Sequence, residues 1–176
     1  DINNLKSTDW YAISKLYAEA KHRSMPELSI VDVRVFNYFS HTQDMNARFL
    51  ITDIVRAIKN KEVFKTSADN IIRDFITPPD FYNLIQAIID FSAINIALDC
   101  YTKEPVSKFD LLNELEIKFG LQYSIDELYN GINATGDKMH YYSKNNNAER
   151  IIYRPKYTSL DGVMNEFLLL QESGSF

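Results

Sequence analysis

The spacing of apolar positions changes period several times along this chain, and each change marks an element. Trp10 to Arg23 is free of glycine and proline and reads as a helix, capped by the oxygens of Ser7-Thr8-Asp9 and stopped by Ser24-Met25-Pro26. Ser29 to Phe36 is β-branched and mostly apolar, the composition of a buried strand, which ends at Asn37. A helix leading into such a strand is half of a β-α-β crossover, so the pattern predicts a parallel sheet whose other strands come from upstream. Helical spacing returns at Phe49, Leu50, Ile54, Val55 and Ile58 and predicts a helix over 45–59, capped by Asp44. Pro78-Pro79-Asp80 opens a helix ending near Phe91, and Ile94 to Leu98 is a short apolar strand. Ser107-x-x-Asp110 caps a helix that Gly120 ends, and Ser124-x-x-Glu127 opens a shorter one in the same way. Beyond Asn130 the chain is polar, 144–147 is a loop, and a last helix runs to about Gln171 before the end frays.

Composition narrows the class. With 45% hydrophobic and 24% charged residues and five each of Gly and Pro, the 176 residues form one ordinary globular unit. A net charge of −5 with no clustered Lys/Arg run argues against nucleic acid or an anionic membrane as partner. One cysteine, Cys100, makes no internal disulfide, and no apolar run reaches transmembrane length, so a reducing cytoplasmic setting is expected. His22, His41 and His140 are isolated from one another and give no metal site. The chain opens without methionine or signal peptide, and a fragment is expected.

The candidate chemistry starts at Tyr11-Ala12-Ile13-Ser14-Lys15. A phenol and an ammonium four residues apart share a helix face, where both can touch one bound molecule. A tyrosine serves as a base near neutrality only when a neighbouring cation favours its phenolate. Spacing alone decides nothing, because Tyr17 and Lys21 repeat it. The first pair differs by its surroundings, Ser14 between its members and Glu19 one turn on, giving Y-x-x-S-K-x-x-x-E.

This pattern resembles the catalytic helix of the extended short-chain dehydrogenase/reductase superfamily, in its sugar-nucleotide epimerase/dehydratase branch. Arg34-Val35-Phe36-Asn37 resembles the R-x-F-N segment of that family, Arg73-Asp74-Phe75-Ile76 its R-D-F/Y-I strand, and Pro155 to Leu160 its closing segment. The resemblance implies an α/β fold, the C-terminal part of a Rossmann-type extended short-chain dehydrogenase with a mixed α/β substrate-binding lobe. Residues 1–38 would be the last helix and strand of the dinucleotide-binding domain. Residues 39–176 would be mostly substrate lobe, with 71–98 returning to the sheet.

The same resemblance implies roles. Tyr11 would take a proton from a sugar hydroxyl while hydride passes to NAD, or to NADP, and Lys15 would hold the cofactor ribose. Phe36 would lie against the nicotinamide end, and Asn37 would reach the nucleotide-sugar substrate. Phe64 would stack on the base, and Arg73 would grip the diphosphate. Read from the residues, Phe36 and Phe64 serve equally as core aromatics, and the charges of Arg73 and Asp74 in an apolar strand must find partners.

The chain also departs from the family. Residues 38–44 replace a Gly-Pro turn, Lys65 to Asn70 replace a glycine turn, and Asn133-Ala134-Thr135 stand where a second phosphate-gripping arginine is usual. No G-x-x-G-x-x-G or G-x-G-x-x-G occurs, and all five glycines, first at Gly120, come late. The phosphate-binding turn of the cofactor site and the Ser/Thr that completes the catalytic set are therefore expected outside this sequence, in a missing N-terminal half. Without that half the chain would be inactive, and its Tyr11 helix and first strand would be left uncovered for a partner or a homodimer. The expected whole is an NAD-dependent nucleotide-sugar epimerase or dehydratase of polysaccharide biosynthesis. The competing reading is a non-catalytic sugar-nucleotide-binding or dimerisation module, which the lack of a glycine turn favours and the Tyr11/Lys15 pair opposes.

Overall fold

The computed structural model of the chain describes residues 10–126 and 138–174. Its elements run α1 (Trp10–Arg23), β1 (Val31–Arg34), β2 (Asn37–Tyr38), α2 (Leu50–Asn60), β3 (Val63–Thr66), β4 (Ile72–Arg73), β5 (Phe75–Ile76) and α3 (Pro78–Asp90). There follow β6 (Ile96–Asp99), β7 (Val106–Ser107), α4 (Lys108–Phe119), β8 (Gln122–Ile125), β9 (His140–Tyr141), a 3₁₀ turn (Asn147–Ile151) and α5 (Ser159–Glu172).

The sheets are small and mainly parallel. β1 pairs with β6, β2 with β5, β3 with β8 and β4 with β9, all parallel, while β4 and β7 are antiparallel. The parallel partner of β1 comes from downstream in the chain, Val31 facing Ile96 and Arg34 facing Asp99. This is a mixed α/β fold with helices packed on short parallel pairs.

Two apolar cores hold it. One lies among α2, α4 and α5, where Ile51, Ile54, Val55, Leu111, Leu112, Leu115, Phe167 and Leu170 are buried. Phe167 meets Phe39 at 5.6 Å and Phe119 at 5.3 Å between ring centroids. Each fully buried side chain of this size stabilises the fold by about 1.5–3 kcal/mol relative to exposure. The other core joins Ile76, Leu84, Leu98 and Cys100 to Ile151 and Tyr153, and the Tyr153 hydroxyl donates to the Tyr101 carbonyl at 2.9 Å.

The helix ends follow local chemistry. Ser107 Oγ accepts from Asp110 N at 3.2 Å, Gly120 closes α4 at φ +69°, and Thr158 Oγ1 accepts from Asp161 N at 3.1 Å to start α5. Three expectations need correction. α2 starts at Leu50, because Asp44 caps only a tight turn onto Asn46 N (2.9 Å) and Thr52 Oγ1 accepts the Phe49 N–H instead (3.0 Å). Ser124 opens no helix; it lies in β8, where it faces Lys65, and Glu127 is outside the described residues. β6 begins two residues late because Asn95 turns its side chain to the α1 end, donating to the carbonyls of His22, Met25 and Leu28 at 2.8–3.1 Å. The caps expected from Ser7 to Asp9 and the segment around Gly136 lie outside the described residues.

Gly162 sits where α5 meets the start of α3. A Cβ there would lie 2.9 Å from Thr77 Oγ1 and 3.1 Å from its Cγ2, and Thr77 is buried with no room to turn. Gly162→Ala is expected to destabilise the chain by about 1–3 kcal/mol in urea denaturation. Combined with Thr77→Ala, the loss should be smaller than the sum of the single losses.

Candidate functional site at the end of the parallel pairs

Strands β2, β4 and β9 bring three of the expected residues together. Asn37 Nδ2 donates to the carbonyls of Asp74 at 3.3 Å and Tyr141 at 3.5 Å. The Phe36 ring meets the Tyr141 ring edge-on at 5.2 Å. Arg73 faces Tyr141 across the β4–β9 ladder and donates from Nη1 to Ile72 O at 2.8 Å and Met139 O at 3.4 Å. At 3% exposure Arg73 is buried, and this burial pushes its guanidinium below the usual arginine range, with Tyr141 opposing. Lys138 adds a second cation, its Nζ 4.3 Å from the Tyr141 ring centroid. Tyr141 is thus the hub of the cluster, and no sequence signal pointed to it.

The Tyr11/Lys15 pair stands on α1, outside this cluster. Lys15 Nζ lies 5.5 Å from the Tyr11 ring centroid, as the four-residue spacing requires, and Ser14 Oγ donates to Tyr11 O at 2.8 Å. No such contact joins Tyr17 to Lys21 among the described residues. Two ties set the position of α1. Asp32 accepts from Arg23 at 2.7 Å and bonds His22 Nδ1 at 2.7 Å, and two residues further along β1 Arg34 binds both oxygens of Glu19 through Nε and Nη2, one edge of its guanidinium. Advancing along β1 therefore means moving back along α1, so the two run antiparallel. From the Glu19–Arg34 tie, Tyr11 lies about 12 Å up the helix, and Asn37 stands three residues on, past the end of β1. The Tyr11 end of α1 and Asn37 are consequently on the same side of that tie. Among the described residues no hydrogen bond or ring contact links Tyr11 or Lys15 to Phe36, Asn37 or Arg73.

Other expected residues are placed differently. Phe64 is 8% exposed and belongs to the α2/α4/α5 core, so its ring faces apolar neighbours. Asp74 does not pair with Arg73. Its carboxylate accepts from Thr102 Oγ1 at 2.6 Å and Thr102 N at 3.1 Å, because successive residues of an extended chain point to opposite faces. The loop at 65–70 is pinned by the buried Lys108, whose Nζ donates to Ser67 O at 2.6 Å and whose pKa burial lowers. The loop at 38–44 is equally fixed: buried Glu166 accepts from His41 N at 2.8 Å and bonds His41 Nδ1 at 2.7 Å. Burial pushes the Cys100 thiol up to about 12, which keeps it protonated and inert. Among the described residues no cluster of three or more His, Cys, Asp and Glu could hold a metal, and no helix is long and apolar enough to cross a membrane.

For a cofactor, the donors on hand are the Tyr11 phenol and Lys15 ammonium, exposed on one face, with the Phe36 ring near the strand end. Their donor chemistry suits a ribose hydroxyl, and the Phe36 ring suits the flat face of a nicotinamide.

No protein-family model matches the chain, and no curated protein matches it. Solved structures do. A mutant of UDP-glucuronic acid 4-epimerase from Bacillus cereus, in complex with UDP-4-deoxy-4-fluoro-glucuronic acid and NAD, matches with a TM-score of 0.72 at 17% identity, over 90% of this chain and 50% of that one. UDP-N-acetylglucosamine 4-epimerase from Bacillus cereus matches with a TM-score of 0.72 at 16% identity, over 92% of this chain and 56% of that one. dTDP-glucose 4,6-dehydratase from Bacillus anthracis, in complex with NAD, matches with a TM-score of 0.71 at 14% identity, over 98% of this chain and 54% of that one. These neighbours are extended short-chain dehydrogenase/reductase enzymes of the sugar-nucleotide epimerase and dehydratase kind. The chain spans about half their length and has the fold of their C-terminal part.

Burial raises the Asp74 pKa above the usual carboxylate range, and the bonds from Thr102 offset this only in part. The folded state then holds a proton that the unfolded state has released, so this group's contribution to stability falls as pH rises from the ordinary carboxylate range toward the raised value. Urea denaturation from pH 4 to pH 8 should show the wild-type chain losing stability relative to Asp74→Asn as pH rises. A difference that is constant with pH would refute the shift.

Proposed function

We propose that this chain is the substrate-side half of an NAD-dependent nucleotide-sugar epimerase or dehydratase. The observation that carries the proposal is the antiparallel tie of α1 to β1, which runs the Tyr11/Lys15 end of the helix in the same direction as the carboxyl end of that parallel strand, beyond which Asn37 stands. Open α/β sheets bind ligands at that end. In this reading a proton acceptor and a substrate-reaching amide serve one ligand at that end, and solved neighbours of this fold carry NAD and UDP-sugars.

In this reading Tyr11 removes the proton from a sugar hydroxyl, and Lys15 places a positive charge beside the phenolate that forms while holding a ribose hydroxyl. NAD, or NADP in its place, supplies the hydride acceptor when bound. Phe36 provides a flat apolar wall. Asn37 orients the sugar, and Arg73 sets positive charge behind the 139–141 segment for a diphosphate to face. Phe64, enclosed in the core, has no part in the reading. A dinucleotide-binding half supplied by further chain is required, and the exposed Trp10, Tyr11, Leu16 and Tyr17 of α1 offer it, or a second copy, an apolar surface.

In the intact gene product, Tyr11→Phe should lower kcat by about 10²–10⁴-fold and leave nucleotide-sugar affinity unchanged by calorimetry. Retained turnover would remove Tyr11 from the mechanism. Nucleotide-sugar binding with no turnover and no dependence on NAD would put the non-catalytic module in its place.

A further inference from the structure

The attachment of α1 is uneven along its length. Its C-terminal end is fixed by the Asp32 ties and by the Asn95 amide on the carbonyls of His22, Met25 and Leu28. Its middle is fixed at Glu19. No residue of α1 is buried, and Lys15 and Tyr11 lie one and two turns beyond Glu19 with no tie of their own to the sheet among the described residues. Among the described residues the outer half of the helix is therefore a cantilever whose last support is Glu19.

That support continues to the far side of the site. Arg34 binds Glu19 with Nε (2.9 Å) and Nη2, and its Nη1 donates to Asp99 Oδ1 at 3.1 Å. The other oxygen of Asp99 accepts from Ser143 Oγ at 2.6 Å. Ser143 lies two residues past Tyr141, the hub against which Asn37, Phe36 and Arg73 are set. Flanking carboxylates hold the guanidinium charged, raising the Arg34 pKa above its usual value. A planar fork serves two carboxylates at fixed angles, which the three rotatable donors of a lysine ammonium do not fix.

We infer that Arg34 is a positioning residue that sets the distance between the Tyr11/Lys15 face and the Tyr141 segment through the bridge Glu19–Arg34–Asp99–Ser143. Arg34 touches neither Tyr11 nor Asn37; it acts through the helix and the loop. This rests on the catalytic role proposed for Tyr11, so the test carries one readout that needs activity and one that does not.

The variants are Arg34→Lys, Glu19→Gln, Asp99→Asn and the double Glu19→Gln/Asp99→Asn. In the intact gene product each single change should lower kcat by about 10–100-fold with nucleotide-sugar Kd unchanged. The double should lose no more than the worse single, because either cut releases the same span. A purely structural role would lower Tm with kcat per folded molecule intact. Losses that multiply in the double, or an unchanged kcat in Arg34→Lys, would overturn the inference. Hydrogen exchange reads the bridge without activity: amides of α1 in the same variants of this chain should exchange faster, and equally fast in the double. Unchanged α1 exchange would refute the bridge even if Tyr11→Phe abolishes turnover. Faster exchange together with active Tyr11→Phe would keep the bridge and sink the catalytic role.

Discussion

Of the four carboxylates buried among the described residues, three are met by backbone N–H groups and Asp99 by side chains, and a buried carboxylate is tolerated only when donors meet it. Asp74 receives Thr102 N, Asp80 receives Lys156 N at 2.8 Å and Tyr157 N at 3.0 Å, and Glu166 receives His41 N. Each therefore clamps a distant loop by its backbone. Several strands have only two residues and contribute few ladder bonds of their own. A charge-assisted bond contributes roughly 1.5–3 kcal/mol, and losing its partner leaves an unmet charge in the interior. The short strands are thus held in register from behind.

This division of labour carries into the site. Asn37, Arg73 and Tyr141 stand on elements anchored by buried clamps and by two apolar cores, so their mutual geometry is stiff. α1 is held differently, by ion pairs at the protein surface, where an exposed pair contributes only about 0–1 kcal/mol. The Tyr11/Lys15 pair sits on the less firmly attached element, and the Asn37, Arg73 and Tyr141 cluster on the more firmly attached ones.

The helices were largely legible because their signals are local. The proline start of α3, the Ser107 cap and Gly120 end of α4, and the extent of α1 all follow from neighbouring residues. The false Asp44 and Ser124 caps show the limit of that logic: each offers a capping oxygen, but Thr52 claims the α2 start and β3 claims residues 122–125 as a strand. In the site, the Tyr11/Lys15 stacking was legible from its period, and Asn37 and Arg73 were singled out by the resemblance. Tyr141, Asp99 and Ser143 were not legible, because nothing local in a chain records which distant carbonyl or hydroxyl it will meet. The opposite facings of Arg73 and Asp74 follow from the alternation of an extended chain. Burial of Phe64 follows from the tertiary packing of α2, α4 and α5 about it.

The ties that define this molecule join residues far apart in sequence. Arg34 and Asp99 are separated by 65 positions, Asn37 and Tyr141 by 104, and His41 and Glu166 by 125. Closing such spans costs chain entropy before any contact rewards it, which slows folding in proteins rich in remote pairings. The helices can form early, while the short parallel pairs must wait for their late partners. During that interval the edges of β1 and β3 stay open, and this is when the nascent chain is most prone to pair with the wrong strand.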